Sequence, residues 1–165
     1  MTAPGDHRHA PTGDHRPIRV LFVCTHNSAR SQMAEVLLRR KGGADFEVHS
    51  AGTDVGRVNP LTIRVLQDAG FDTDGLRSKP VDEFLGQSFD YVVTVCDQAR
   101  QACPVFPGSG ASLHWGYEDP SEAEGSEAER LVVFRRVFTQ VAERIGQFVP
   151  IAMREHGRRT TANLA

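Results

Sequence analysis

Four residues stand where a chain could carry nucleophilic or redox chemistry: Cys24 with Arg30 six positions on, and Cys96 with Cys103 seven positions on. In VCTHNSARS, a branched apolar run leads into Cys24, a short loop follows, and a helix begins near Arg30. A loop of that length entering a helix can turn its backbone N–H groups inward, and the helix N-terminus adds partial positive charge. Such a turn binds a tetrahedral oxyanion with Cys24, Thr25, His26, Asn27, Ser28, Ala29, Arg30 and Ser31 as its wall. Arg30 offers a planar fork for two oxygens, and the same positive field is expected to lower the Cys24 pKa. Ser31 is placed to hydrogen-bond the thiolate. Because 17 of the 19 basic residues are Arg, the Cys–Arg spacing alone says little. The order strand, loop, serine, helix is what favours a nucleophile over a buried inert cysteine.

The elements that must position these residues alternate along the chain. Ile18 to Val23 reads as a buried parallel strand, Ser31 to Lys41 as a helix ended by Gly42-Gly43, and Phe46 to Ser50 as a short strand. Asn59-Pro60 reads as a helix N-cap with proline in first place, and Asp90 to Val95 and Ser112 to Trp115 as two more strands. Ser126 with Glu129 forms a capping box for a last helix whose stripe runs Val133, Phe134, Val137, Phe138, Val141, Ile145, Phe148. This order predicts an α/β fold, a small four-stranded parallel sheet flanked by helices on both faces, with ligands at the carboxyl ends of the strands. Cys24 and Cys96 each follow a strand, so both belong on that edge.

Composition narrows the classes. The chain has 165 residues, 39% hydrophobic and 24% charged, which is enough for one core without staples. A net charge of −2 gives no basic field for nucleic acid, and no apolar run reaches the length of a membrane span. Three cysteines and no apolar leader predict a cytoplasmic protein with free thiols. Residues 1–17 read as a disordered leader, 18–150 as the folded domain, and 151–165 as a C-terminal tail that frays from about residue 158. Metal binding by His7, His9 and His15 is the sharper reading of the leader; a solvated tail is the plainer one.

VLFVCTHNSARSQMAE, VHSAGT, VVTVCDQARQACP and HWGYEDP together resemble the thioredoxin-coupled arsenate reductases of the low-molecular-weight protein tyrosine phosphatase superfamily, over about residues 18–150. The most specific piece is the pair Cys96 and Cys103, which matches the resolving cysteines of those reductases and is missing from the phosphatases. The resemblance implies that Cys24 attacks arsenate, that Asp119 acts as the acid, and that Cys96 takes Cys24 into a disulfide. Cys103 then forms a Cys96–Cys103 disulfide for thioredoxin to reduce. It also implies arsenate as substrate, phosphate and sulfate as mimics, no tightly bound cofactor and a monomer. In the phosphatases aromatic residues follow the Asp-Pro and flank a phosphotyrosine ring; here Asp119-Pro120 runs into SEAEG.

Supporting positions follow from the same likeness. Asn27 is expected to shape the loop, Ser50 to hydrogen-bond it, and Glu35, by position alone, to be solvated. Some related reductases bind potassium with residues matching Asn27, Glu35 and Ser50 plus an Asp. Lys79, one of two lysines, stands where that Asp would be, and a fixed ammonium there could replace the cation and pair with Glu35. His26 stands where glycine is common. His114 and Trp115 read as packing and hydrogen-bonding residues beneath the acid loop rather than as catalysts. The rival activities are a low-molecular-weight tyrosine phosphatase, and a non-catalytic module in which Cys96, Cys103 and His114 bind zinc or sense redox state. The C-x6-C-x10-H spacing fits no common zinc pattern.

Overall fold

The computed structural model describes residues 16–164, so His7, His9 and His15 lie outside the described residues. Four strands, β1 (Ile18–Cys24), β2 (Phe46–Gly52), β3 (Tyr91–Thr94) and β4 (Ala111–His114), form one sheet in the order β2-β1-β3-β4 with every pairing parallel. Three helices connect them, α1 (Arg30–Gly42), α2 (Pro60–Asp68) and α3 (Asp97–Ala102), and a fourth, α4 (Glu127–Ala162), follows the last strand. The expected architecture is the observed one.

Alternation along the strands divides the core. Ile18, Val20 and Phe22 share a face with Phe46, Val48, Tyr91 and Val93 by register, and there Phe22, Tyr91, Trp115 and Phe148 of α4 pack ring to ring. The opposite face is thinner. His49, Phe84, Phe89 and Phe106 cluster on it beside a 3-10 turn, Val81–Phe84. Burying about 33 residues of this kind supplies the main stabilisation, on the order of 25 cal/mol per Å² of apolar surface.

Local signals set the helix starts. Asn59 accepts from the Leu61 amide with Pro60 in first place, and Ser126 accepts from the Glu129 amide. The C-terminal expectation needs correction. Instead of a tail from residue 151, α4 runs unbroken through Pro150 to Ala162. Buried Ala152 and the Tyr91 hydroxyl, which donates to Glu155, hold the last turns against the sheet. The 17/18 boundary is likewise softer, since Arg16 makes a two-pronged pair with Asp90 at 2.8 and 2.9 Å. No described helix is long and apolar enough to cross a membrane.

Candidate active site

β1 ends on Cys24, and residues 25–29 turn back into α1. The turn requires one left-handed residue: Asn27, at φ 53°, is the single non-glycine with positive φ among the described residues. Residues 52–62 then take up the loop's carbonyls. The amides of Thr53, Asp54, Gly56 and Asn59 donate to the carbonyls of Cys24, Thr25, His26 and Ser28 at 2.8–3.1 Å, and the Thr62 hydroxyl also donates to Ser28. With the carbonyls held outward, the amides face in. Ala29 caps α1 without a side-chain hydrogen bond, leaving the first helical N–H groups to a ligand.

Hydrogen bonding fixes the thiol. Asn27 donates its side-chain amide to Ser31 Oγ at 2.8 Å, and that oxygen lies 2.7 Å from Cys24 Sγ, where its hydroxyl can donate to a thiolate. The Asn27 amide donates to the same sulfur at 3.1 Å. These donors, with Arg30, favour the thiolate, but burial is stronger and pushes the Cys24 thiol above its ordinary range. Burial thus outweighs the lowering expected from the positive charge. One reason is that Arg30 faces the loop that carries Asp119: its NH1 donates to the Tyr117 carbonyl at 3.1 Å and its NH2 lies 3.4 Å from Asp119 Oδ2.

A chain of contacts runs inward from Asn27. Its Nδ2 also donates to Ser50 Oγ at 2.9 Å, and Ser50 donates to Glu35 Oε2 at 3.1 Å. Glu35 is buried, against expectation, because α1 is packed between β2 and α4; Arg39 donates to its other oxygen at 3.0 Å. Lys79 Nζ donates to the Arg77 carbonyl at 3.0 Å and to Ser50 Oγ at 3.4 Å, and lies 3.7 Å from Glu35. Burial pulls the Lys79 ammonium below its usual range while Glu35 pulls it up.

The second pair sits across the edge. Thr25, next to Cys24, places its hydroxyl 3.2 Å from Cys96 Sγ, and the Ala99 amide donates to that sulfur at 3.4 Å. Cys96 and Cys103 are the N-cap and C-cap of α3. All three cysteines are free. Cys103 is half-buried, its amide donating to the Ala99 carbonyl at 2.8 Å and its thiol only at 3.6 Å to the Pro104 carbonyl, and burial pushes the thiol up. Among the described residues no three His, Cys, Asp or Glu converge to hold a metal ion, the trio Cys96, Cys103 and His114 included. Asp119 accepts from Ser121 at 2.7 Å through Oδ1 and turns Oδ2 to Arg30.

Sequence reasoning missed several supports. Gln32, fully buried, donates to the Asn27 and Arg77 carbonyls and to Asn27 Oδ1, yet an amide in a helix carries no signal of this. Gly52 is a second case: a Cβ there would meet the Thr25 carbonyl at 2.7 Å and the Asn27 amide at 3.0 Å. Both atoms are backbone, so Gly52→Ala must displace the loop. Phosphate inhibition constants should weaken about tenfold or more in this variant with the fold retained, a cost of roughly 1.4 kcal/mol.

A thiol at the end of a parallel strand, seated in a loop of inward amides with an arginine at the helix start, is the equipment of one enzyme family. Residues 19–159 match the low molecular weight phosphotyrosine protein phosphatases, and the chain belongs to that family. Within it the chain is similar to arsenate reductases. It is 40% identical over 129 residues to the arsenate reductase of Halalkalibacterium halodurans, covering 78% of this chain and 93% of that one. A solved arsenate reductase in a phosphate-binding state superposes with a TM-score of 0.68 at 31% identity, over 82% of this chain and 98% of the other. The thioredoxin-dependent arsenate reductase of Corynebacterium glutamicum superposes at 0.64 with 27% identity, over 87% of this chain and 65% of the other.

Proposed function

We propose that the chain reduces arsenate to arsenite by a three-thiol relay that thioredoxin resets. One observation carries the reading beyond the family: Thr25 joins the nucleophile's loop to Cys96, and α3 ties Cys96 to a third thiol. The Cys24 sulfur attacks arsenic, and a hydroxyl leaves as water with a proton from Asp119. The thiol proton balances that loss. Loop amides and Arg30 hold the other oxygens once the anion draws Arg30 from the acid loop. Cys96 thiolate then attacks Cys24 sulfur, and the sulfur–arsenic electron pair stays on arsenic, converting arsenic(V) to arsenic(III). Cys103 attacks Cys96, Cys24 leaves as thiolate, and the Cys96–Cys103 disulfide passes to thioredoxin.

The last exchange requires movement. Seven helical steps separate the caps of α3, about 10 Å at 1.5 Å per residue, whereas a disulfide tolerates Cα atoms no more than about 7 Å apart. α3 must therefore unwind. It is six residues long with a single buried side chain, Ala99, and is followed by residues 103–110, among them Val105, which is 86% exposed. Little is lost when it opens. Support for thioredoxin as reductant comes from the named dependence of the Corynebacterium relative. The same loop suits phosphate monoesters, so a phosphatase is the rival activity, and replacement of Cys96 separates the two.

Lys79 supplies the charge that holds Ser50 and Glu35 behind the loop, in place of a bound cation. Arsenate turnover measured in sodium and in potassium at equal ionic strength should agree within about twofold. Strong activation by potassium would contradict this role.

A further inference from the structure

The thiols differ in how they can lose a proton. Cys24 lies against the Ser31 hydroxyl and accepts from the Asn27 amide, and Cys96 lies against the Thr25 hydroxyl and accepts from the Ala99 amide, whereas among the described residues the Cys103 sulfur has no such donor and burial pushes its thiol up. Yet thiol–disulfide exchange needs a thiolate at Cys103. The face of the sheet beneath α3 offers a proton acceptor. Thr94 and His114 are direct partners across β3 and β4, and with Cys103 and Arg100 they line one groove of about 550 Å³. Thr94 Oγ1 lies 2.8 Å from His114 Nδ1, and His114 Nε2 lies 3.2 Å from Asp97 Oδ1. A carboxylate can only accept, so Nε2 carries a hydrogen; in that tautomer Nδ1 is an acceptor for the Thr94 hydroxyl, whose other acceptor, the Leu113 carbonyl, is farther off at 3.4 Å. Hydroxyl, imidazole and carboxylate thus form a directed chain, and its carboxylate belongs to the residue next to Cys96, the place Cys103 must reach.

We infer that Thr94 and His114 take the proton of Cys103 as it crosses the groove, a deepening that rests on the relay proposed above. The Cys103 thiol gives its hydrogen to Thr94 Oγ1, whose own hydrogen passes to His114 Nδ1. Asp97 stabilises the imidazolium, and Arg100 is the opposing cation in the groove. The thiolate attacks Cys96 sulfur, the Cys24–Cys96 bond breaks, and Cys24 leaves as thiolate, so one disulfide replaces another with no net oxidation. His114 acts through Thr94 and is a positioning residue that also stores the proton.

Reduced protein is mixed with arsenate, quenched in acid at intervals, alkylated, and mapped for disulfides by peptide mass. The native chain should pass quickly through Cys24–Cys96 to Cys96–Cys103. His114→Gln and Thr94→Val should accumulate Cys24–Cys96, converting about 10- to 100-fold more slowly at pH 7, with the pH profile displaced upward toward the thiol range near 8.5. Thr94→Ser should keep the native rate, and added imidazole should restore His114→Ala. Conversion at the native rate with an unmoved profile in His114→Gln and Thr94→Val would overturn the inference. Absence of any disulfide in the native chain would overturn the arsenate reading, and this inference with it.

Discussion

Cys96→Ser should abolish thioredoxin-coupled arsenate turnover while leaving hydrolysis of an aryl phosphate at its native rate. The two reactions share their first half, attack by Cys24 within the loop of residues 24–31, and differ in what relieves the covalent adduct. A phosphoryl adduct is opened by water. An arsenic adduct becomes arsenite only if a second sulfur takes Cys24 and leaves the electron pair on arsenic. Cys96 is the sulfur joined to the loop, through Thr25 at 3.2 Å. Serine has no redox chemistry to offer but keeps a polar atom for the Thr25 and Ala99 contacts, so the loop stays formed. Steady-state arsenate reduction should fall to background, and aryl phosphate hydrolysis should change by less than about twofold. Arsenate turnover surviving in this variant would refute the relay.

Asp119→Asn should lower arsenate turnover by about 10² to 10³ and, at the same time, tighten phosphate inhibition severalfold. Opposite signs in the two quantities follow from the two jobs of one carboxylate. In the proposed mechanism Asp119 is the acid that delivers the proton with which a hydroxyl leaves as water. As an anion, it lies 3.4 Å from Arg30, whose guanidinium also donates to the Tyr117 carbonyl. An entering oxyanion must win Arg30 from that pair. Asparagine keeps the shape and can still accept from Ser121 through its oxygen, so the loop itself is preserved. Because Asp119 is a quarter exposed and screened by water, the gain in binding is modest. Stopped-flow turnover and phosphate inhibition on the same preparation measure both, and unchanged turnover would remove Asp119 from the chemistry.

Much of this was legible before any coordinate. Buried parallel strands write themselves as branched apolar runs, and Asn59-Pro60 and Ser126 announce helix starts by side-chain chemistry that acts locally. The strand–loop–helix turn around Cys24 was legible for the same reason: Cys24, Arg30 and Ser31 are close in sequence. What needed the fold was set by contacts between distant segments. Glu35 reads as solvated because a carboxylate on a helix ordinarily is, and its burial depends on α1 lying between β2 and α4. Gln32 and Gly52 matter through Asn27 and Thr25. Residues 151–165 read as a tail that frays from about residue 158, and buried Ala152 together with Tyr91, from the middle of the sheet, shows why α4 continues. The thiol of Cys24 was expected to be lowered by positive charge; the structure adds the burial that outweighs it and turns Arg30 toward Asp119.

The central claim is that three thiols act in sequence on arsenate and end as a disulfide that thioredoxin opens. Consumption of NADPH, in the presence of thioredoxin and thioredoxin reductase, follows every turn of that cycle. The account predicts consumption that depends on arsenate with the native chain and none above background with Cys24→Ser, Cys96→Ser or Cys103→Ser. A native chain that consumes no NADPH on addition of arsenate, or a Cys103→Ser variant that consumes it at the native rate, would contradict it.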